Sequence, residues 1–172
     1  MKKLIDTMKN YGFSNEVIAG VLGNIKVECD FKLQAENMYY SKAETLMKTF
    51  PSKFKHMSTR EIETYTKNPQ KLGDYVYKDQ LGFKYRGRGY FQLTGIANYK
   101  SYSEYLKLDL VNNPDLALRE DIAILIVIEF IKHTAFKYVP KLNEIEDISY
   151  VADIITKSVQ GYGKNYNVGF LK

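Results

Sequence analysis

The sequence predicts a mainly α fold in one domain spanning residues 1–172, and three stretches carry that expectation. Ile18, Val21, Leu22 and Ile25 fall at the i, i+3, i+4, i+7 spacing of a helix that faces a core. The longest apolar run, residues 122–128, continues through Glu129 to Ile131. It is too short to cross a bilayer and reads as a buried helix over 120–134. Residues 148–159 form a final amphipathic helix. A chain of 172 residues can bury one substantial core, and 45% hydrophobic with 26% charged residues is ordinary for a globular protein.

The remaining elements follow in chain order. Residues 3–11 read as a short helix, broken by Gly12-Phe13-Ser14-Asn15. Ser14 or Asn15 caps the next helix, with Glu16 in its first turn. Ser41 and Glu44 are spaced as a capping box for a helix over 41–50, which Pro51 ends. Ser58-Thr59-Arg60-Glu61 opens another helix by the same logic. Asn68-Pro69 punctuates, residues 71–77 form a short helix, and 99–106 are helical. Asn113-Pro114-Asp115 starts a turn, and Pro140 breaks the chain before the last helix. No repeat, low-complexity tract or linker interrupts this order.

Composition narrows the chemistry. Cys29 is the only cysteine, so no intramolecular disulfide supports the fold. His56, His133 and Cys29 lack metal-ligand spacing, and neither histidine has the neighbourhood of a Ser-His-Asp triad, so no metal or other cofactor is expected. The first five residues have the charge of a secretory leader. Asp6, Lys9 and Asn10 then deny it an apolar stretch, so the chain reads as soluble, without a signal peptide and without stable membrane insertion. A net charge of +5 suits an anionic partner such as a bacterial wall, and would also suit nucleic acid. Fifteen Tyr and nine Phe with no Trp offer stacking surfaces, although a compositional bias is the expected source of most of the tyrosines.

Two stretches carry candidate functional groups. In residues 83–99, Gly87 and Gly89 flank Arg88 and allow a tight turn and a close approach to another surface. Tyr90, Phe91 and Leu93 provide apolar anchoring. Gln92, Thr94 and Asn98 interleave as uncharged hydrogen-bonding groups, a mixture suited to hydroxyls and acetamides. A tight turn with a structural Gln and Asn would use the same residues. In the second stretch, the apolar stripe of residues 18–25 meets Glu28 one turn further on. A carboxylate continuing an apolar face is expected to be partly desolvated, which favours the protonated form that a general acid needs. A carboxylate at a helix end, turned to water, is the alternative reading.

Gly87-Arg88-Gly89, Gln92-Leu93-Thr94-Gly95 and Asn98-Tyr99 together resemble the central signature of glycoside hydrolase family 19, the chitinases and related phage and bacterial endolysins. Ile18-Ala19 through Val27-Glu28, then Glu36-Asn37 and Tyr40-Ser41, resemble the family's first motif. Phe50-Pro51, Asn68-Pro69, Val76-Tyr77, Asn113-Pro114-Asp115-Leu116 and Ile155-Thr156 resemble later ones, in consistent order from about residue 12 onward. The chain departs from the pattern with Val27 for a His, Cys29 for a Ser or Thr, and Asp30-Phe31 where the family has Gly-Gly-Phe. The Glu28-to-Glu36 spacing is consequently one residue short. Gln160 stands in the place of a sugar-binding Asn, and Asn167 near a usual Arg.

The resemblance implies a mainly α, lysozyme-like, two-lobed fold with a central substrate groove. It also implies inverting hydrolysis of β-1,4 bonds beside N-acetylated sugars. On that match Glu28 is the general acid, Glu36 the general base, and Thr94 the hydroxyl that helps to hold the water. Gln92, Asn98, Tyr90 and Gln160 fall on the substrate-binding side. Inversion requires the two carboxyl groups to lie roughly 6.5–9.5 Å apart, so that a water fits between base and sugar. Peptidoglycan glycan strands are the expected partner, chitin less so, met by a monomer that stays in the host cytoplasm until release to the wall or is carried on the virion. Three other readings stand beside this one: a lytic transglycosylase, a tail protein that binds glycan with reduced activity, and a nucleic-acid binder in which Arg86 and Arg88 with Tyr85 and Tyr90 form a stacking platform.

Overall fold

A computed structural model describes residues 1–161. Helix is the only extended regular structure among them, and two isolated antiparallel bridges, Ala35 to Arg88 and Arg88 to Leu93, are the sole β pairings. The chain divides into two compact units. One combines Met1–Leu33 with the segment that begins at Ala117, and the other is Gln34–Leu116.

The first unit contains α1 (Lys2–Asn10), α2 (Asn15–Cys29) and, after the excursion through the second unit, three further helices. The Ser14 hydroxyl accepts from the Val17 amide and starts α2, one of the two caps expected there. The second unit contributes α3 (Ala43–Thr49), α4 (Pro51–Phe54), α5 (Thr59–Glu63), α6 (Pro69–Val76) and α7 (Ile96–Leu106). The chain then returns to the first unit as α8 (Glu120–His133), α9 (Ala135–Tyr138) and α10 (Ile148–Val159).

In the first unit α8 is buried on nearly every side, through Ile122, Ile124, Val127, Ile128 and Ile131 among others. That is how a helix without a polar face behaves at the centre of a fold. Helix α10 packs along α2 at a distance that requires a glycine. A Cβ at Gly20 would meet Ile155 Cδ1 at 2.8 Å and the Ala152 Cα at 3.3 Å. Beside this contact Asn24 ties the two helices together. Its amide donates to the Gly20 carbonyl at 2.8 Å and to the Thr156 hydroxyl at 3.1 Å. Gly23 differs from Gly20, because no atom lies within 4 Å of where its Cβ would stand. A glycine inside a helix costs about 1 kcal/mol relative to alanine, and helix packing gives no reason for this one.

The second unit is built on Met38, Leu46, Phe54, Ile62 and Leu72, with aromatic rings packed around them. Phe54, Tyr65 and Tyr75 form a three-ring cluster with centroids 5.0 to 5.5 Å apart. Several tyrosines are therefore core residues, a role that composition alone does not reveal. Ser58 and Glu61 form the expected reciprocal capping box on α5. The box expected of Ser41 and Glu44 does not form. Helix α3 starts later, with Lys42 as an N-cap that makes no side-chain bond, and Glu44 instead pairs with Lys48 at 2.9 Å. Burial of Ala43 sets that start, since it must face the core while Ser41 remains exposed. Pro51, expected to end a helix, also opens α4 from its first position.

Candidate functional site

In the second unit the glycine-rich turn is held from inside by Arg88, which is only 3% exposed. Its Nε donates to Asp115 Oδ1 at 2.8 Å. Its Nη1 donates to the carbonyls of Lys84 and Arg86 and to the Tyr99 hydroxyl, at 2.8, 3.2 and 2.9 Å. The Tyr99 hydroxyl in turn donates a hydrogen bond to the Arg86 carbonyl at 2.9 Å. Backbone bonds between Arg88 and Leu93 close the turn. Arg88 is thus a structural cation, and Tyr85 and Tyr90 are buried beside it in sequence at 5% and 4% exposure. The stacking platform of the nucleic-acid reading does not exist on the surface.

The buried groups leave a polar arrangement around Gly87. Glu36 is half-buried, and its amide donates to the Gly87 carbonyl at 2.7 Å. The Tyr77 hydroxyl donates to Glu36 Oε1 at 2.7 Å and Oε2 at 2.9 Å, and the Gly87 amide reaches Oε2 at 3.4 Å. Burial, then the hydrogen bond to Glu36, push the Tyr77 hydroxyl well above the ordinary phenol range, so it remains a donor. Gly87 has no room for a side chain, because a Cβ would collide with Gln92 Oε1 and come within 3.1 Å of Thr94 Oγ1. Glu36, Gln92 and Thr94 therefore meet at one glycine.

Gln92 holds its place with a left-handed backbone, φ 53°, and its side-chain Nε2 donates a hydrogen bond to the Gly89 carbonyl at 3.0 Å. Thr94 donates to the Gln92 carbonyl at 2.9 Å, and Asn98 donates to the Thr94 carbonyl at 2.8 Å. Thr94 and Asn98 line a concavity of about 250 Å³ together with Asp79 and Gln80. Tyr90 is a correction. A ring that is 4% exposed has no face to offer a sugar, because the turn that exposes Gln92 folds Tyr90 inward.

In the first unit Glu28 lies in the last turn of α2 and is exposed, so the desolvation expected of it is absent. The apolar stripe is buried as far as Ile25, and beyond it Lys26 and Val27 are exposed as well, Val27 at 84%. The helix leaves the core before its final turn. Glu28 and Gln160 line the same concavity, about 240 Å³ in volume, which runs along α2 and α10 past Asn24 and Thr156. Directly after α2, Asp30 and Phe31 adopt left-handed backbones with φ 50° and 60°. Asp30-Phe31 stands where the resemblance places Gly-Gly-Phe, and a non-glycine residue in this conformation costs roughly 1–2 kcal/mol. Asp30 is secured by its bond with Lys26. Cys29 packs its thiol against the Ile25 carbonyl, and burial pushes that thiol above its usual range. Asn167 lies outside the described residues.

Two groups escaped the sequence reading. Tyr77 was visible only as part of a Val-Tyr pair, because its partner lies 41 residues away. Asn24 sits on the apolar side of α2 and is exposed by 8%, so periodicity alone marks it as an anomaly rather than as a bridge.

A helical chain with this glycine-rich turn and a carboxylate held against it belongs to the lysozyme-like class. More narrowly, it is a member of the phage tail lysozyme family, which it matches over residues 1–154. It is also similar to a Haemophilus influenzae protein described as a glycosyl hydrolase family 19 domain-containing protein. The two are 29% identical over 101 residues, which cover 52% of this chain and 47% of the relative. The chain thus spans about half the length of that relative.

Proposed function

We propose that this protein is a glycoside hydrolase that cuts β-1,4 bonds of peptidoglycan glycan strands with inversion. Membership of a lysozyme family and the description of the relative support a glycoside hydrolase. The observation that carries the finer reading is the clamp on Glu36. Both carboxylate oxygens accept hydrogen bonds, so the group is oriented as a base must be, with Gln92 and Thr94 at the same glycine. In this reading Glu28 protonates the leaving oxygen, Glu36 takes a proton from the attacking water, and Thr94 helps to hold that water. Gln92, Asn98 and Gln160 bind the sugars. In this reading a bound glycan strand removes water from the exposed Glu28 carboxyl group.

The family description favours a protein acting on the wall from the phage tail. Digestion of purified peptidoglycan, followed by mass spectrometry and early proton NMR of the products, tests the proposal. Free reducing ends of α configuration are expected. Anhydro-muramyl ends would replace the hydrolase with a lytic transglycosylase. Wall binding without any cleavage would leave a glycan-binding tail protein.

A further inference from the structure

Residues 42–71 hold seven Lys or Arg against three Glu, a net +4 in a chain whose total is +5. Of the seven, Lys48 pairs with Glu44 at 2.9 Å, and Lys71 donates to Thr64 Oγ1 at 2.8 Å. The other five make neither an ion pair nor a side-chain hydrogen bond among the described residues. Glu61 is committed to its capping box, which leaves Glu63 as the one carboxylate of the segment without a partner among the described residues. This excess charge surrounds a concavity of about 510 Å³ in the second unit, lined by Lys42, Lys67 and Glu63 with the hydroxyls of Ser41, Thr59 and Thr66. None of these residues belongs to the Glu36 arrangement. The Lys67 backbone is left-handed, φ 55°, a conformation that glycine adopts freely and lysine does not. Its amide donates to the Tyr40 carbonyl at 2.7 Å. Stability gives no reason for an unpaired lysine at such a position.

We propose that this concavity binds the stem peptide of peptidoglycan, the short peptide of L and D residues carried on the lactyl group of muramic acid. Such a peptide has more carboxylates than amines. Lys42 and Lys67 answer the carboxylates, Glu63 answers an uncrosslinked amine, and the hydroxyls of Ser41 and Thr59 serve the peptide groups. A uniformly anionic polymer, such as a polyol phosphate, would meet Glu63 as a like charge. Reach also selects the peptide. Ser41 follows Glu36 by five residues, so the concavity begins within roughly 18 Å of the candidate base. A four-residue peptide tethered to a strand at Glu36 extends about 14 Å before its terminal carboxylate and side chains are counted. The volume falls within the roughly 300–1,000 Å³ of ligand sites.

This inference rests on the reading that the protein acts on peptidoglycan, but its test reads peptide binding rather than cleavage. Protein labelled with ¹⁵N is titrated with the free tetrapeptide L-alanyl-γ-D-glutamyl-L-lysyl-D-alanine, with its carboxyl-amidated form and with a glycerol phosphate oligomer. The backbone signals of Lys42, Glu63 and Lys67 are expected to shift with the tetrapeptide and far less with the other two. Lys67→Gly should weaken binding roughly threefold to fivefold while the melting temperature stays level or rises, because glycine suits that backbone. Lys42→Gln should weaken binding to a similar degree. Glu63→Gln should erase the preference for the free lysyl amine over its N-acetylated form. Equal shifts with the amidated peptide or the phosphate oligomer would overturn the site, as would full binding by a variant carrying both lysine substitutions. Peptide binding without wall cleavage would keep the site and remove the hydrolase. Wall cleavage without peptide binding would do the reverse.

Discussion

The Tyr77 hydroxyl bonds both oxygens of the Glu36 carboxylate, at 2.7 and 2.9 Å, across 41 residues of sequence. This pair orients the candidate base and is the most specific constraint on it. Tyr77→Phe keeps the ring and removes only the donor. A hydrogen bond to a charged group is worth about 1.5–3 kcal/mol, so wall-cleaving activity should fall roughly 10- to 100-fold while the melting temperature changes little. Unchanged activity would show that the clamp has no part in the reaction.

The same hydroxyl makes a prediction about alkaline stability. Burial raises the folded-state values of Tyr77 and Tyr99 above the phenol range, with Glu36 adding to the effect at Tyr77 and Arg88 opposing it at Tyr99. A raised group contributes stability that is fully present below its unfolded value, about 10, and is lost as pH rises through the folded value. Denaturant unfolding should therefore show stability declining above about pH 10, with a shallower decline in Tyr77→Phe.

Removal of the proposed acid and base should be severe. Glu28→Gln and Glu36→Gln are each expected to reduce cleavage by ~10²–10⁴-fold with the fold intact by circular dichroism, and Thr94→Val by less. A transglycosylase has no use for a water-activating carboxylate. Full activity in Glu36→Gln together with anhydro products would leave Glu28 as the sole catalytic residue.

Arg88 should matter to stability before it matters to activity. Arg88→Ala strands the Lys84 carbonyl and leaves the Tyr99 hydroxyl and the Arg86 carbonyl only their bond to each other, a loss on the order of 3 kcal/mol measurable by chemical denaturation. Its partner Asp115 is 78% exposed, so Asp115→Asn should cost less than about 1 kcal/mol. Comparable losses from both substitutions would mean that the ion pair, rather than the buried bonds, holds the turn.

Two glycines of one helix should respond with opposite sign. Gly20→Ala forces a methyl against Ile155 and Ala152 and should destabilise by about 1–3 kcal/mol. Gly23→Ala enters open space and should stabilise by up to about 1 kcal/mol. Thermal melts of the two variants decide the matter directly.

Local physics was legible in the sequence. The limits of α10, the Ser14 cap and the Ser58/Glu61 box each depend on groups within a few residues of one another, where spacing is geometry. The ordered blocks around Glu28, Glu36 and Gln92 likewise point to the lysozyme-like class from sequence alone. Tertiary structure decided everything that depends on what an element packs against. Glu28 continues the α2 stripe by period, yet it is exposed because the helix outruns its core. Tyr90 looked available and is buried because the Gly-Arg-Gly turn folds it inward. Ser41 could have capped α3, but Ala43 had a core to reach. The Tyr77–Glu36 bond and the Asn24–Thr156 bridge join residues 41 and 132 positions apart, and no periodicity encodes a contact at that distance along the chain.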